Sequence, residues 1–166
     1  MKALTLYAPW AMLMATNHKH IETRTWYTNY RGPVAIHSAK GLPNYILDLA
    51  RDAPRTFGAI RGRLGQQLGI YDLADLPRGY IVAIGELIAC CKIPDRATIY
   101  PVSGGIIKSL RLPPYEPEFL FGDYTPGRYA WVFQNIRKVD PMVPALGKQG
   151  LWEWRDHNLP ISKTHS

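Results

Sequence analysis

The chain has 166 residues, 46% apolar and 20% charged, with 20 Lys+Arg against 13 Asp+Glu and a formal net charge of +7. That length suits one ordinary domain with its own core, and the composition excludes a disordered or collagen-like chain. Fourteen glycines and fourteen prolines argue against a helical bundle and for short strands joined by turns.

Ala3–Tyr7 (ALTLY) reads as a first, mostly apolar strand. Ala8-Pro9-Trp10 opens a helix with proline in its first turn, and Trp10, Leu13 and Met14 form an i, i+3, i+4 stripe. Asn17 is placed to end that helix in a left-handed conformation. Ile21–Trp26 and Pro33–His37 are the next predicted strands, rich in β-branched and aromatic residues. Residues 43–70 read as one or two helices with weak spots at Pro54, Gly58, Gly62 and Gly65, an insertion beside a β core.

The strongest strand signal is YIVAIGELIACCKI after Gly79, too long for one straight strand, with Gly85 a predicted bulge or bend. Residues 94–127 carry six prolines and read as loops with brief extended pieces; Val102-Ser103-Gly104-Gly105 is a turn signal. Arg128–Val139 is a further long strand, and Lys148–Trp154 a last one packing two tryptophans. Residues 1–155 are therefore expected to form one domain, followed by a short polar tail over 156–166. The predicted class is α+β: a small mixed β-barrel, closed or nearly so, with an early helix between its first two strands and a helical insertion.

The adjacent Cys90 and Cys91 cannot close a relaxed disulfide with each other, and no Cys-x-x-Cys set suggests zinc. Inert core thiols in a reducing cytosol are the expectation. No apolar run approaches the roughly 18–20 residues of a membrane span. The opening LTLYAPWAMLMA faintly imitates a signal peptide, but Pro9 interrupts it and no small-x-small site follows, so a cytoplasmic location is expected. His18, His20 and His37 match no established metal motif, and neither a metal nor a cofactor is expected.

Residues 1–71 hold nine basic side chains against three acidic ones, and the remainder eleven against ten. Such asymmetry favours an anionic partner, nucleic acid first, although a solvated basic helix face over 51–63 would give the same count. The densest polar stretch is Lys19-His20-Ile21-Glu22-Thr23-Arg24-Thr25-Trp26. Period-two geometry puts Glu22, Arg24 and Trp26 on one face, with Lys19 at the mouth. A carboxylate, a guanidinium and an indole together can bond a base edge, hold a phosphate and stack a ring; a surface ion pair beside a half-buried tryptophan is the plainer alternative. Glu86 is the odd polar residue of the long apolar strand, which predicts either a cation partner or a functional role. His37 reads as a satisfied histidine at a strand end.

With these residues in view, the sequence resembles the ASCH-domain family, part of the PUA-like superfamily of small β-barrels associated with RNA and modified bases. The likeness rests on residues 4–40, with a P-W helix, H-K-H-I-E-T-R, Y-R-G and I-H-S-A-K; on PRGYIVAIGELIAC at 77–90; and on FGDYTPGRYAWVFQNIRKV at 121–139 with GKQGLWEW at 147–154. Residues 41–76 and 92–118 are poorly covered by it. The resemblance implies a basic groove on Lys19, Glu22 and Arg24, with His37 and Lys40 nearby and Arg128 and Tyr129 from the GRYAW segment. Lys19, Arg24, Lys40 and Arg128 would meet phosphates or base edges, and Trp26 or Tyr129 would stack a base.

Asn17 stands where many members have glycine. Some members resemble amidohydrolases of acylated cytidine that use a lysine with a threonine three residues on; here Glu22 holds that place. The expectation is a module for RNA, another single-stranded nucleic acid or a modified nucleoside. Its alternative is a metal-independent hydrolase of RNA or N4-acylated cytidine nucleosides, with Lys19 stabilising negative charge and Glu22 or Glu86 as general base.

Overall fold

The computed structural model describes residues 1–103 and 108–155. The predicted tail, 156–166, lies outside them, as does part of the turn expected at Val102–Gly105. Strands β1 (Lys2–Leu6), β2 (Ile21–Arg24), β3 (Gly32–Ser38), β4 (Tyr80–Lys92), β7 (Tyr129–Pro144) and β8 (Leu151–Glu153) form one six-stranded sheet, ordered β2-β7-β4-β3-β1-β8. Among the described strands only β1 and β3 run parallel, and the crossover between them carries α1 (Ala8–Ala15) and β2. A separate hairpin joins β5 (Thr98–Pro101) to β6 (Ser109–Leu112) within the proline-rich stretch. The architecture is α+β, a curled half-barrel of the small mixed-barrel kind.

Local chemistry explains most of these elements. Pro9 starts α1, and Asn17, at φ 62°, ends it, so that the amides of His18 and Lys19 both return to the Leu13 carbonyl. The expected single apolar stripe proves too narrow a description: seven of the eight helix residues are buried and Trp10 alone is only partly covered. α1 lies inside the curl, against β3, β4, β7 and α4, so almost every side meets protein. The insertion forms three helices, α2 (Asn44–Leu47), α3 (Leu49–Asp52) and α4 (Pro54–Leu68). Pro54 forces the break before α4 by pushing Ala53 out of the helical region, to φ −142° and ψ 65°.

The β4–β7 register shifts between Ile84 and Glu86, which puts a bulge at Gly85. A Cβ there would come within 3.1 Å of the Ile136 side chain, so glycine also answers a close approach. β7 runs five residues beyond the predicted end at Val139, and β8 takes up only three residues in the later part of the segment expected as a strand. The main core fills the concave side of the sheet with α1, Ile60, Leu64, Trp131 and Phe133. A second cluster joins the β5–β6 hairpin to Ile21, Ile88 and Val132, and a third gathers Trp152 and Trp154 against Ala3, Ala35 and Ile81. Cys90 is buried and Cys91 half-buried, and burial pushes both thiols up. No helix among the described residues is long and apolar enough to cross a membrane.

Candidate functional site

Curling brings β2, at one edge of the sheet, close to the end of β1 near the other. The Arg24 guanidinium crosses that gap and donates from Nη2 to the Thr5 carbonyl at 2.7 Å. Beside this bridge lies a cleft of about 1060 Å³. Its walls come from β2, from the segment Leu120–Asp123 and from the loop Leu146–Gly150, with Tyr45 of the helical insertion at the rim.

Glu22, Arg24, Trp26, His37, Lys40 and Arg128 all line this cleft, so six of the residues singled out in the sequence converge. Lys19 does not stand at its mouth. The side chain is 0% exposed, and its ammonium donates to the carbonyls of Ile21 and Phe121, the latter at 2.7 Å. The same nitrogen is 3.3 Å from Oε2 of Glu22, whose Oε1 is 3.4 Å from Nε of Arg24. Lys19 thus sits behind the wall, and the corrected role is to hold Glu22 rather than to meet a ligand. The turn of Glu118–Phe121 makes this possible: the Glu118 carboxylate accepts the amides of His20 and Ile21 at 3.0–3.1 Å, while Phe121 supplies its carbonyl to Lys19.

Arg128 is held by the Asp123 carboxylate at 3.4 Å and donates to the Asp123 and Thr23 carbonyls. Hydrogen bonds from Thr125, first from its hydroxyl, and then Arg128 hold Asp123 below the usual carboxylate range. The Trp26 ring meets Trp131 edge to face, with centroids 4.5 Å apart and planes at 81°. His37 is 1% exposed; its Nε2 bonds to the Ala145 carbonyl at 3.1 Å, and its buried Nδ1 has no hydrogen-bond partner among the described residues. Burial pushes this imidazole below its ordinary value, against the Ala145 carbonyl, which acts the other way. The expected satisfied histidine thus has a partner for one ring nitrogen, the Ala145 carbonyl.

Two candidates stand apart. Tyr129 pairs with Tyr27 at 5.7 Å and is not among the cleft residues. Glu86 is also outside; of the two expectations for it, the cation partner is not met among the described residues, and its carboxylate accepts from the side-chain amides of Gln134 at 2.9 Å and Asn135 at 3.1 Å. His18 and His20 line a different hollow with Arg63 and Glu118, away from His37 in the cleft. Residues not singled out as site candidates also contribute: Thr5, Tyr7, Trp10, Tyr45, Gly147 and Lys148. The one available hint for Lys148 was its place between two glycines, in a stretch read instead as the start of a strand.

A family model for the ASCH domain matches residues 4–142. The chain belongs to the ASCH-domain family. This family is, in general terms, one of RNA-binding-like domains. No curated protein matches the chain. The matched span of the ASCH domain includes β2, Lys40 and Arg128 but ends before Leu146–Gly150, so one cleft wall, with Lys148, is built from residues beyond it.

Proposed function

We propose that this ASCH domain binds single-stranded nucleic acid, RNA foremost, and seats a nucleotide or modified base in the cleft. The observation that carries the reading is the convergence of Arg24, Lys40, Arg128 and Lys148 on one concavity that also holds Trp26 and the Glu22 carboxylate. Cations there neutralise phosphates, an indole offers a stacking surface, and a carboxylate accepts hydrogen bonds from a base amine. Fluorescence anisotropy with a labelled single-stranded RNA tests it: affinity should fall steeply and linearly on a log–log salt scale. An affinity that is flat against salt, or no binding in low salt, overturns it.

The hydrolase reading has one observation in its favour, the Glu22 carboxylate opening on the cleft. Against it, the Lys19 ammonium is committed to two carbonyls and Glu22, and Glu86 lies elsewhere. Turnover of N4-acylated cytidine or labelled RNA in the presence of a chelator, abolished in Glu22→Gln with the fold intact, would move the assignment to that enzyme class.

A further inference from the structure

The cleft has more room and more positive charge than one nucleoside uses. Its volume of about 1060 Å³ lies just above the roughly 300–1,000 Å³ typical of sites for drug-sized ligands. A free nucleoside carries no phosphate, yet four cationic side chains line the walls. Arg24 and Arg128 are held by Glu22 and Asp123. Lys40 and Lys148 are exposed and have no ion-pair partner among the described residues. Those two are placed to meet phosphates entering from outside.

The rim adds a second surface suited to a base. Tyr7, where β1 passes into α1, and Tyr45, in α2, meet at right angles, with centroids 5.9 Å apart and planes at 81°. They are 39% and 56% exposed, large apolar rings left open to solvent beside a charged cleft. Tyr7 and Tyr45 line the same cleft as Glu22 and Arg24 of its floor. The tyrosine pair and the floor therefore belong to one continuous surface. Exposed aromatic faces next to cations are what successive bases of a single strand stack upon.

We infer that the Tyr7–Tyr45 rim is a second base-binding subsite, so that the domain takes a single-stranded RNA segment of at least two nucleotides rather than a free nucleoside. This rests on the nucleic-acid reading above and specifies its ligand. The helical insertion, through Tyr45, then sets how much of the strand is held.

The test is competition against a fluorescein-labelled seven-nucleotide RNA by mixed mononucleotides and by mixed trinucleotides, at two salt concentrations. Trinucleotides should compete about tenfold better or more, and Tyr45→Ala should remove about tenfold of trinucleotide affinity and a clearly smaller share of mononucleotide affinity. Tyr45→Phe should keep wild-type affinity, because the ring rather than the hydroxyl does the stacking. The Tyr45→Ala loss should persist at high salt, since stacking releases no counterions. Equal competition by mononucleotides and trinucleotides, or a Tyr45→Ala variant that binds trinucleotides as the parent does, overturns the subsite and leaves the general reading standing. Failure of the labelled RNA to bind at all overturns both.

Discussion

Lys19 Nζ lies 3.3 Å from Oε2 of Glu22, and the lysine is wholly buried while the Glu22 side chain keeps 12% of its surface open to the cleft. A buried cation thus stands behind the carboxylate and fixes it from the protein side. Removing one partner of such a pair leaves the other uncompensated, so Glu22→Gln should cost roughly 3 kcal/mol in urea denaturation. Lys19→Met should also destabilise, because two backbone carbonyls lose their donor. In the double variant the two losses should fall short of their sum by about 1–3 kcal/mol. Strict additivity would mean that the pair does not act as a unit.

Lys40→Ala and Lys148→Ala should each reduce the slope of log affinity against log salt by about 1. Neither should move the unfolding midpoint, as both side chains are exposed. Unchanged slopes in both variants would remove them from the phosphate path.

His37 makes stability depend on pH. Its ordinary value is 6.5 and burial lowers it in the folded protein, so below pH 6.5 the unfolded chain binds more protons than the folded one. The stabilisation is therefore complete above about pH 6.5 and is lost as pH falls through the window between the unfolded and folded values. Denaturation midpoints between pH 8 and pH 5 should show this decline, and His37→Gln should flatten it. An equal decline in that variant would place its origin elsewhere.

Gly147 packs directly on the His37 ring. A Cβ at this position would lie 2.5 Å from Cε1 and 2.6 Å from Nδ1 of His37, a ring already bonded to the Ala145 carbonyl. Gly147→Ala should therefore cost about 1–3 kcal/mol by overpacking and should weaken RNA binding by displacing the loop that carries Lys148. Wild-type stability and affinity together would show that the loop gives way freely.

Glu86→Ala should leave RNA affinity within about twofold, since the residue is outside the cleft, and should cost about 1 kcal/mol through its lost amide hydrogen bonds. Thermal unfolding and anisotropy on one preparation check both parts. A large loss of affinity would restore Glu86 to the site.

Alternation along β2 was legible because strand geometry is local. Glu22 and Arg24 do share a face, paired across to Trp131 and Tyr129 of β7. The same alternation could not tell that Trp26 falls beyond the strand yet still reaches the cleft, or that Tyr129 turns to Tyr27 instead. The bulge at Gly85 and the left-handed Asn17 were equally readable, each being a preference of one residue's own backbone. Tyr45 was hidden for the opposite reason: a tyrosine in a short helix carries no local mark of the rim it will join.

Period-two patterning, proline and glycine positions and the uneven distribution of charge were enough to specify the main strands along the chain, the early helix and a basic half of the chain. The burial of Lys19 was not among those properties. It depends on the Phe121 carbonyl, 102 residues away in sequence, and the cleft itself depends on Arg24 of β2 meeting Thr5 of β1 across the opening of the sheet. Side-chain periodicity is a short-range consequence of backbone geometry, whereas partners for a buried charge are supplied by whatever segments folding brings alongside, and only the closed-up chain settles which these are.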